Sequence, residues 1–253
     1  MVQIDKGSFE GQSVLVVGAA QGIGAATTRL ISKRGGKVFA FDIDAAGLKE
    51  LQGDLDLPDA QIIQIDVGSQ ESVRESIELA YGRAGRIDAL INTAGIVGPN
   101  NTKVENVDWA DFERILRINL FGAIWLTQAV LPYMKEARYG RIAHVTSIAG
   151  KEGNPGMAPY NTSKSGMIGF VKGVAKEVAA DGITINCLAP AVIRTAMNVN
   201  TSEETLKYMI SRIPMGRLGE SEEVAEMLAF MASTACSFTT GFTFDASGGR
   251  ATY

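Results

Sequence analysis

Three observations predict an α/β fold class, a doubly wound parallel sheet of about seven strands with helices on both faces. Short runs of strand length recur along the chain, nearly continuous in apolar residues, as strands covered on both sides should be. Helix-length segments alternate with them. No Pro-rich linker, charge run or internal repeat divides the 253 residues, so one domain over 1–253 is expected.

The elements follow in order. Ser13–Val17 is the first strand and leads through a glycine turn into a helix over Gly22–Arg34, ended by Gly35-Gly36. Lys37–Phe41 is the second strand, and a further helix begins near Asp44. Gln61–Ile65 is the third, followed by a helix over Ser69–Arg83 with Glu71 in its first turn. Ile87–Ile91 is the fourth strand, and Asp108–Met134 reads as one long helix with Pro132 near its end. Arg141–Thr146 and Ile183–Leu188 are strands five and six, flanking a helix over Met157–Ala180 that Asp181-Gly182 closes. A helical excursion then includes Ser221–Met231, with an acidic first turn behind a serine cap, before a last strand at Phe242–Phe244.

Composition narrows the function classes. Apolar residues make up 46% and charged residues 21%, ordinary for a globular chain. A net charge of −4 disfavours a nucleic-acid partner. Two cysteines, Cys187 and Cys236, are too few for a disulfide scaffold. The opening MVQIDKGSFEG has no apolar run, so no secretory signal is expected. The most apolar stretch, Ile115 to Met134, is broken by Arg117, Asn119, Thr127, Gln128 and Pro132, so no membrane span is expected. A reduced, cytoplasmic protein is the expectation. No metal site is expected, because neither cysteine has a partner at ligand spacing. The sole histidine, His144, lies inside strand five. Strand alternation should turn it to the sheet face opposite Ser147, in a structural role.

Four groups of residues carry chemistry. VLVVGAAQGIG, Val14 to Gly24, runs a strand into Gly18, Gly22 and Gly24 and then a helix. Glycines there permit a tight turn and close backbone approach to a diphosphate, and the helix N-terminus supplies N–H groups. The spacing is Gly-x3-Gly-x-Gly, so a methyltransferase-type turn or plain packing stays open at this point. Asp42 ends strand two, 18 residues after Gly24, where an acid can accept from ribose hydroxyls and repel a 2′-phosphate. NAD is therefore favoured over NADP; the bland alternative is that Asp42 caps the next helix. Asp66-Val67 and Asn92-Thr93-Ala94-Gly95 follow strands three and four, at the sheet edge where such folds bind ligands.

The fourth group joins Ser147, at the end of strand five, to Tyr160 and Lys164 in YNTSK. Residues four apart share a helix face. An ammonium beside a phenol lowers its pKa, and such a tyrosine can exchange a proton with an alcohol or carbonyl oxygen. Ser147 can hydrogen-bond the same oxygen. A bare Y-x-x-x-K occurs often by chance; its place here, 13 residues after a strand-end serine and behind a glycine turn, is the signal.

On GAAQGIG, NTAG, Asn119 in RINLFG, Ser147, YNTSK and NCLAPAVIRT, in that order, the chain resembles the short-chain dehydrogenases/reductases over essentially its whole length. The resemblance implies a single-domain Rossmann-type fold and a catalytic tetrad of Asn119, Ser147, Tyr160 and Lys164. Tyr160 would be the general acid/base and Ser147 would steady the substrate oxygen. Lys164 would lower the tyrosine pKa and hold the nicotinamide ribose, and Asn119 would position a water. Cofactor contacts are implied at Gly18, Gln21, Gly22, Ile23, Gly24, Asp42, Asp66, Val67, Asn92, Ala94, Gly95, Tyr160, Lys164, Pro190, Ile193 and Thr195. Three positions depart from the family pattern. Val17 replaces a hydroxyl residue before the first glycine, Thr93 the second Asn of NNAG, and Ala191 the usual glycine after Pro190.

The resulting expectation is an NAD-dependent oxidoreductase acting on a secondary alcohol or ketone: a sugar, sugar acid, polyol or small hydroxy compound. A segment near 196–218, with Asn198, Asn200 and Thr201, would cover the substrate; Met197, Met209 and Met215 either line that pocket or pack. Two alternatives stand beside it. One is a 3-oxoacyl-thioester reductase, suggested by IPMGRLGESEEVA, with Arg138 and Lys176 where such enzymes grip an acidic carrier. The other is a non-catalytic dinucleotide-binding sensor or scaffold. The resemblance also implies a homotetramer, consistent with apolar residues on more than one helix face: Met167, Ile168, Phe170, Val171, Val174 and Val178.

Overall fold

The computed structural model describes residues 8–195 and 203–253. Seven strands form one parallel sheet: β1 (Ser13–Val17), β2 (Lys37–Asp42), β3 (Ile62–Gln64), β4 (Ala89–Asn92), β5 (Gly140–Val145), β6 (Ile183–Pro190) and β9 (Thr243–Ala246). Their spatial order is β3-β2-β1-β4-β5-β6-β9. The chain winds outward from β1 to β3, then returns to β4 on the other side of β1. That reversal opens a crevice at the C-terminal ends of β1 and β4, the place where such sheets bind ligands. A small parallel pair, β7 (Ile193–Arg194) with β8 (Gly219–Glu220), stands apart from the sheet.

The helices are α1 (Gly22–Lys33), α2 (Ala45–Leu55), α3 (Gln70–Ala84), α4 (Trp109–Leu116), α5 (Gly122–Ala137), α6 (Ile148–Glu152), α7 (Ala158–Val178), α8 (Glu203–Ser211) and α9 (Ser221–Ala232). Strand alternation sends Leu15 and Val17 of β1 to one core and Val14 and Val16 to the other. The first core adds Ile77 of α3, Leu126 and Val130 of α5 and Val171 of α7; the second adds Ile31 of α1, Leu48 of α2 and Leu228 of α9. Each such side chain taken fully from water contributes about 1.5–3 kcal/mol. Two apolar layers thus hold the sheet whose edge carries the site.

Several expectations are corrected. The long helix is broken, because Arg117–Phe121 forms a π turn centred on Asn119 between α4 and α5. Such a widened turn re-aims a side chain within a helix and is frequent at functional sites. The combined stretch Trp109–Ala137 is long and apolar enough by composition to cross a membrane. Here it is a core element, with Ile115, Leu126, Val130 and Met134 fully buried. Ser221 does not cap α9: Glu220 holds the cap position, and its N–H donates to the Glu223 carboxylate at 2.9 Å. Finally, His144 lies on the sheet face covered by α5, with its Nε2 2.9 Å from Thr127 Oγ1. Ser147 lies beyond the end of β5, so strand parity does not separate the two.

Candidate active site

The glycine turn is built for close approach. Gly18 has φ +82°, and a Cβ there would lie 2.6 Å from Thr93 Oγ1. A Cβ on Gly24 would overlap the Gly18 carbonyl. Gln21 holds the cap position of α1 without a side-chain cap, and the first turn has no acid, so its N–H groups are left for an anion. The Thr93 hydroxyl bonds the Val17 carbonyl at 2.8 Å, so the hydroxyl missing at position 17 is supplied from the facing turn. Thr195 lies against the same turn: a Cβ on Gly22 would sit 3.3 Å from its methyl group. Ile23 is half-buried beside Gly24 at the start of α1.

Asp42 closes β2 next to that turn. Its carboxylate accepts from Ala20 N at 2.9 Å and Asp44 N at 3.0 Å. The cap of α2 is Asp44, which accepts from Ala46 and Gly47, so capping is not what Asp42 does. Asp66 is exposed and accepts from Gly68 N at 2.8 Å, and the half-buried Val67 packs against Gly122. Asn92 is buried; its side chain faces His144 and the Ala94 N–H beneath the turn rather than the cleft. Ala94 and Gly95 form the half-buried surface of that turn.

Ser147, Tyr160, Lys164 and Asn119 converge at the edge of β4 and β5. Ser147 caps α6 by accepting from Ala149 N at 3.1 Å, and its hydroxyl is near enough to the Tyr160 phenol to favour the phenolate. Lys164 reaches the Val145 carbonyl at 3.0 Å and stands 5.7 Å from the Tyr160 ring centroid. Gly95 fits between the partners: a Cβ there would lie 3.1 Å from Asn119 Oδ1 and 3.3 Å from Lys164 Nζ. The Asn119 amide pairs both ways with the backbone of Ile96, at 2.8 Å each, and donates to Ser163 Oγ at 3.1 Å. Burial pushes the Tyr160 phenol above its ordinary pKa, and the neighbouring Ser147 hydroxyl opposes this. Burial likewise pushes Lys164 down to about 8, with Cys187 opposing.

The far side of the cleft comes from β6 and β7. Pro190 and Ile193 are buried, and Ala191 has no positive φ, so its side chain fits without backbone strain. Of the segment near 196–218, residues 196–202, including Met197, Asn198, Asn200 and Thr201, lie outside the described residues. Met209 is half-buried in α8 and Met215 is exposed.

Some features are not visible from spacing. The loop between Ser147 and Tyr160 is held by the C-terminal segment. Arg250 bonds Glu152 at 3.0 Å and Asn154 at 2.8 Å. Lys151 pairs with Asp245 at 2.9 Å, and the Tyr253 hydroxyl donates to the Lys151 carbonyl. Ser163, one residue before Lys164, ties Asn119 to α7. Arg138 is occupied by Asp181 at 2.7 Å and the Ala180 carbonyl at 2.9 Å, while Lys176 is solvent-exposed. Among the described residues no cluster could hold a metal ion.

Residues 18–251 match a family model described as enoyl-(acyl carrier protein) reductase. The 2-dehydro-3-deoxy-L-rhamnonate dehydrogenase (NAD(+)) of a Sphingomonas species is 39% identical over 98% of both chains. The 3-oxoacyl-(acyl-carrier-protein) reductase FabG of Thermotoga maritima is 38% identical over 95% of this chain and 98% of its own. The crystal structure of gox2181 superposes with a TM-score of 0.92 at 31% identity, covering 97% of each chain. Agreement of this extent, in sequence and in fold, makes the chain a member of the short-chain dehydrogenase/reductase family, oxidoreductases that act on CH–OH groups with a nicotinamide cofactor.

Proposed function

We propose that the protein is an NAD-dependent dehydrogenase that oxidises a secondary hydroxyl of a small sugar-derived acid to a ketone. The observation that carries this is Asp42 at the edge of the glycine turn, its carboxylate fixed by Ala20 N. An anion there accepts from the two ribose hydroxyls of NAD and repels the phosphate that NADP carries. The sugar-acid part leans on the NAD-dependent relative named above. The acyl-carrier-protein reductase reading is the weaker one, because Arg138 is engaged by Asp181 and the Ala180 carbonyl just beyond the end of α7.

The residues present fit the dinucleotide. Gly18, Gly22 and Gly24 leave room for a diphosphate, the uncapped α1 N-terminus faces it, and Asp42 takes one ribose. Asp66, Val67 and Ala94 would line the adenine side, and Gly95, between Asn119 and Lys164, would border the second ribose. Pro190, Ile193 and Thr195 close the nicotinamide side, with Lys164 on the second ribose. When bound, the cofactor accepts a hydride. Tyr160, as phenolate, takes the proton of the substrate hydroxyl, and Ser147 donates a hydrogen bond to the same oxygen. Lys164 places a positive charge over the Tyr160 ring, and Asn119 holds the Ile96 backbone that borders the cleft. Because burial raises the Tyr160 pKa, the phenolate grows with pH, so oxidation is expected to quicken from neutral toward alkaline pH.

The test is nicotinamide absorbance with sugar acids, polyols and 3-ketoacyl thioesters, each with both cofactors. Oxidation of a sugar acid with at least about tenfold preference for NAD is expected, roughly 1.4 kcal/mol. Asp42→Ala combined with a nearby arginine should narrow that preference. Equal use of both cofactors contradicts the role of Asp42, and activity confined to thioesters favours the reductase. A non-catalytic sensor would turn over none of them. A homotetramer in the cytoplasm completes the reading, supported by the apolar side chains exposed on α4, on α9 and on the loop before β9, and by two buried free thiols.

A further inference from the structure

We propose that His144 is a positioning residue for the cofactor cleft: as a neutral imidazole protonated on Nε2, it fixes the Asn92 amide and through it the turn at residues 92–95. The proposal rests on the reading of this cleft as the dinucleotide site.

The hydrogen-bond polarity leaves one arrangement. The Thr127 hydroxyl gives its proton to the Ala123 carbonyl at 2.8 Å, so toward His144 it can only accept. His144 Nε2, 2.9 Å away, must therefore carry a hydrogen. On the other side, Asn92 Oδ1 accepts from Ala94 N at 3.1 Å, which puts the amide nitrogen of Asn92 toward the imidazole. That nitrogen only donates, so His144 Nδ1, 3.2 Å away, must be bare. A second proton on the ring would face a donor.

The surroundings enforce the same state. His144 is fully buried in β5, paired in register with Cys187 of β6. The charged group that faces it is Lys164 of α7; the Cys187 thiol is pushed up to about 12 and is neutral. Burial, with the Lys164 charge adding to it, holds the imidazole pKa at about 3. Both ring nitrogens thus have fixed partners and no proton to exchange near neutral pH.

What His144 holds has little slack. Thr93, between Asn92 and Ala94, bonds the Val17 carbonyl at 2.8 Å and so ties this turn to the glycine turn. Gly95 has no room for even a methyl group without crowding Asn119 and Lys164. Turning the Asn92 amide would strip Ala94 of its partner and shift a surface that touches both halves of the cleft.

The test uses the whole chain and two readouts. The protein has one histidine, so once any affinity tag is removed its imidazole nitrogens give a single set of NMR signals. A neutral Nε2–H ring is expected from about pH 5 to pH 9; a titration midpoint in that range, or the Nδ1–H form, overturns the proposal. The second readout is NAD affinity without substrate, by calorimetry. His144→Leu keeps bulk but leaves the Asn92 amide without an acceptor, so NAD affinity should fall about tenfold. His144→Asn places an oxygen on Cγ where the ring has Nδ1, and should recover most of that loss. Unchanged affinity in His144→Leu overturns the proposal, as does an equal loss in both variants, which marks a role in packing alone. If His144→Leu does not fold, the NMR signature and the affinity of His144→Asn decide. A wild-type chain that binds neither NAD nor NADP overturns the reading of the cleft itself, and the proposal with it.

Discussion

Lys164 shows how one residue trades stability for chemistry. The unfolded chain holds its proton to the ordinary value of 10.5, the folded one only to about 8. Between those values the unfolded state binds more protons, so the contribution of Lys164 to stability rises with pH there. Below about 8 the full cost of a buried charge is carried. Lys164→Met is therefore expected to melt higher than wild type near pH 7 and to lose that gain toward about pH 10, while turnover and NAD binding fall. A gain that grows with pH in thermal melts contradicts this. At this scale Ser147, Tyr160 and Lys164 were legible because a strand-end serine and an i, i+4 pair are local patterns. The effect of burial on the phenol was not. Spacing predicted a pKa lowered by the ammonium, whereas desolvation dominates and pushes it up.

Among the elements, the C-terminal segment has a role that spacing could not reveal. Arg250 meets Glu152 and Asn154 across nearly a hundred residues, and Lys151 meets Asp245. These pairs grip the segment between Ser147 and Tyr160, which Asn154 and Asn161 also cross-link at 2.8 and 3.1 Å. Arg250→Ala leaves Glu152 without its partner, and should lower the melting temperature by about 5 °C. Turnover should fall about tenfold through misplacement of the Ser147 and Tyr160 hydroxyls to which catalysis is assigned in the proposed function. Unchanged turnover at the lower melting temperature would confine the segment to stability. The strands were legible from their apolar runs, with ends displaced by a residue or two. The π turn at Asn119 was not, since the apolar pattern of Asp108–Met134 continues through it and only the backbone hydrogen bonding changes.

For the molecule as a whole, the order of strands and glycine turns was enough to place the crevice, because crossover connections in parallel sheets leave few topologies. The proposed tetramer rests on exposed side chains instead. Trp109, Phe121, Phe230, Phe238 and Phe242 present apolar surface on α4 and the π turn after it, on α9, and on the loop that leads into β9. A tetrameric mass by light scattering at micromolar concentration is expected, and a monomer contradicts it. The central claim is that Tyr160 moves the proton in an NAD-linked oxidation, and the turnover of Tyr160→Phe with the substrate that the panel identifies tests it most directly. The substitution removes one hydroxyl, so the melting temperature and NAD affinity should stay close to wild type. Turnover should fall by at least about a hundredfold; near wild-type turnover would contradict the mechanism.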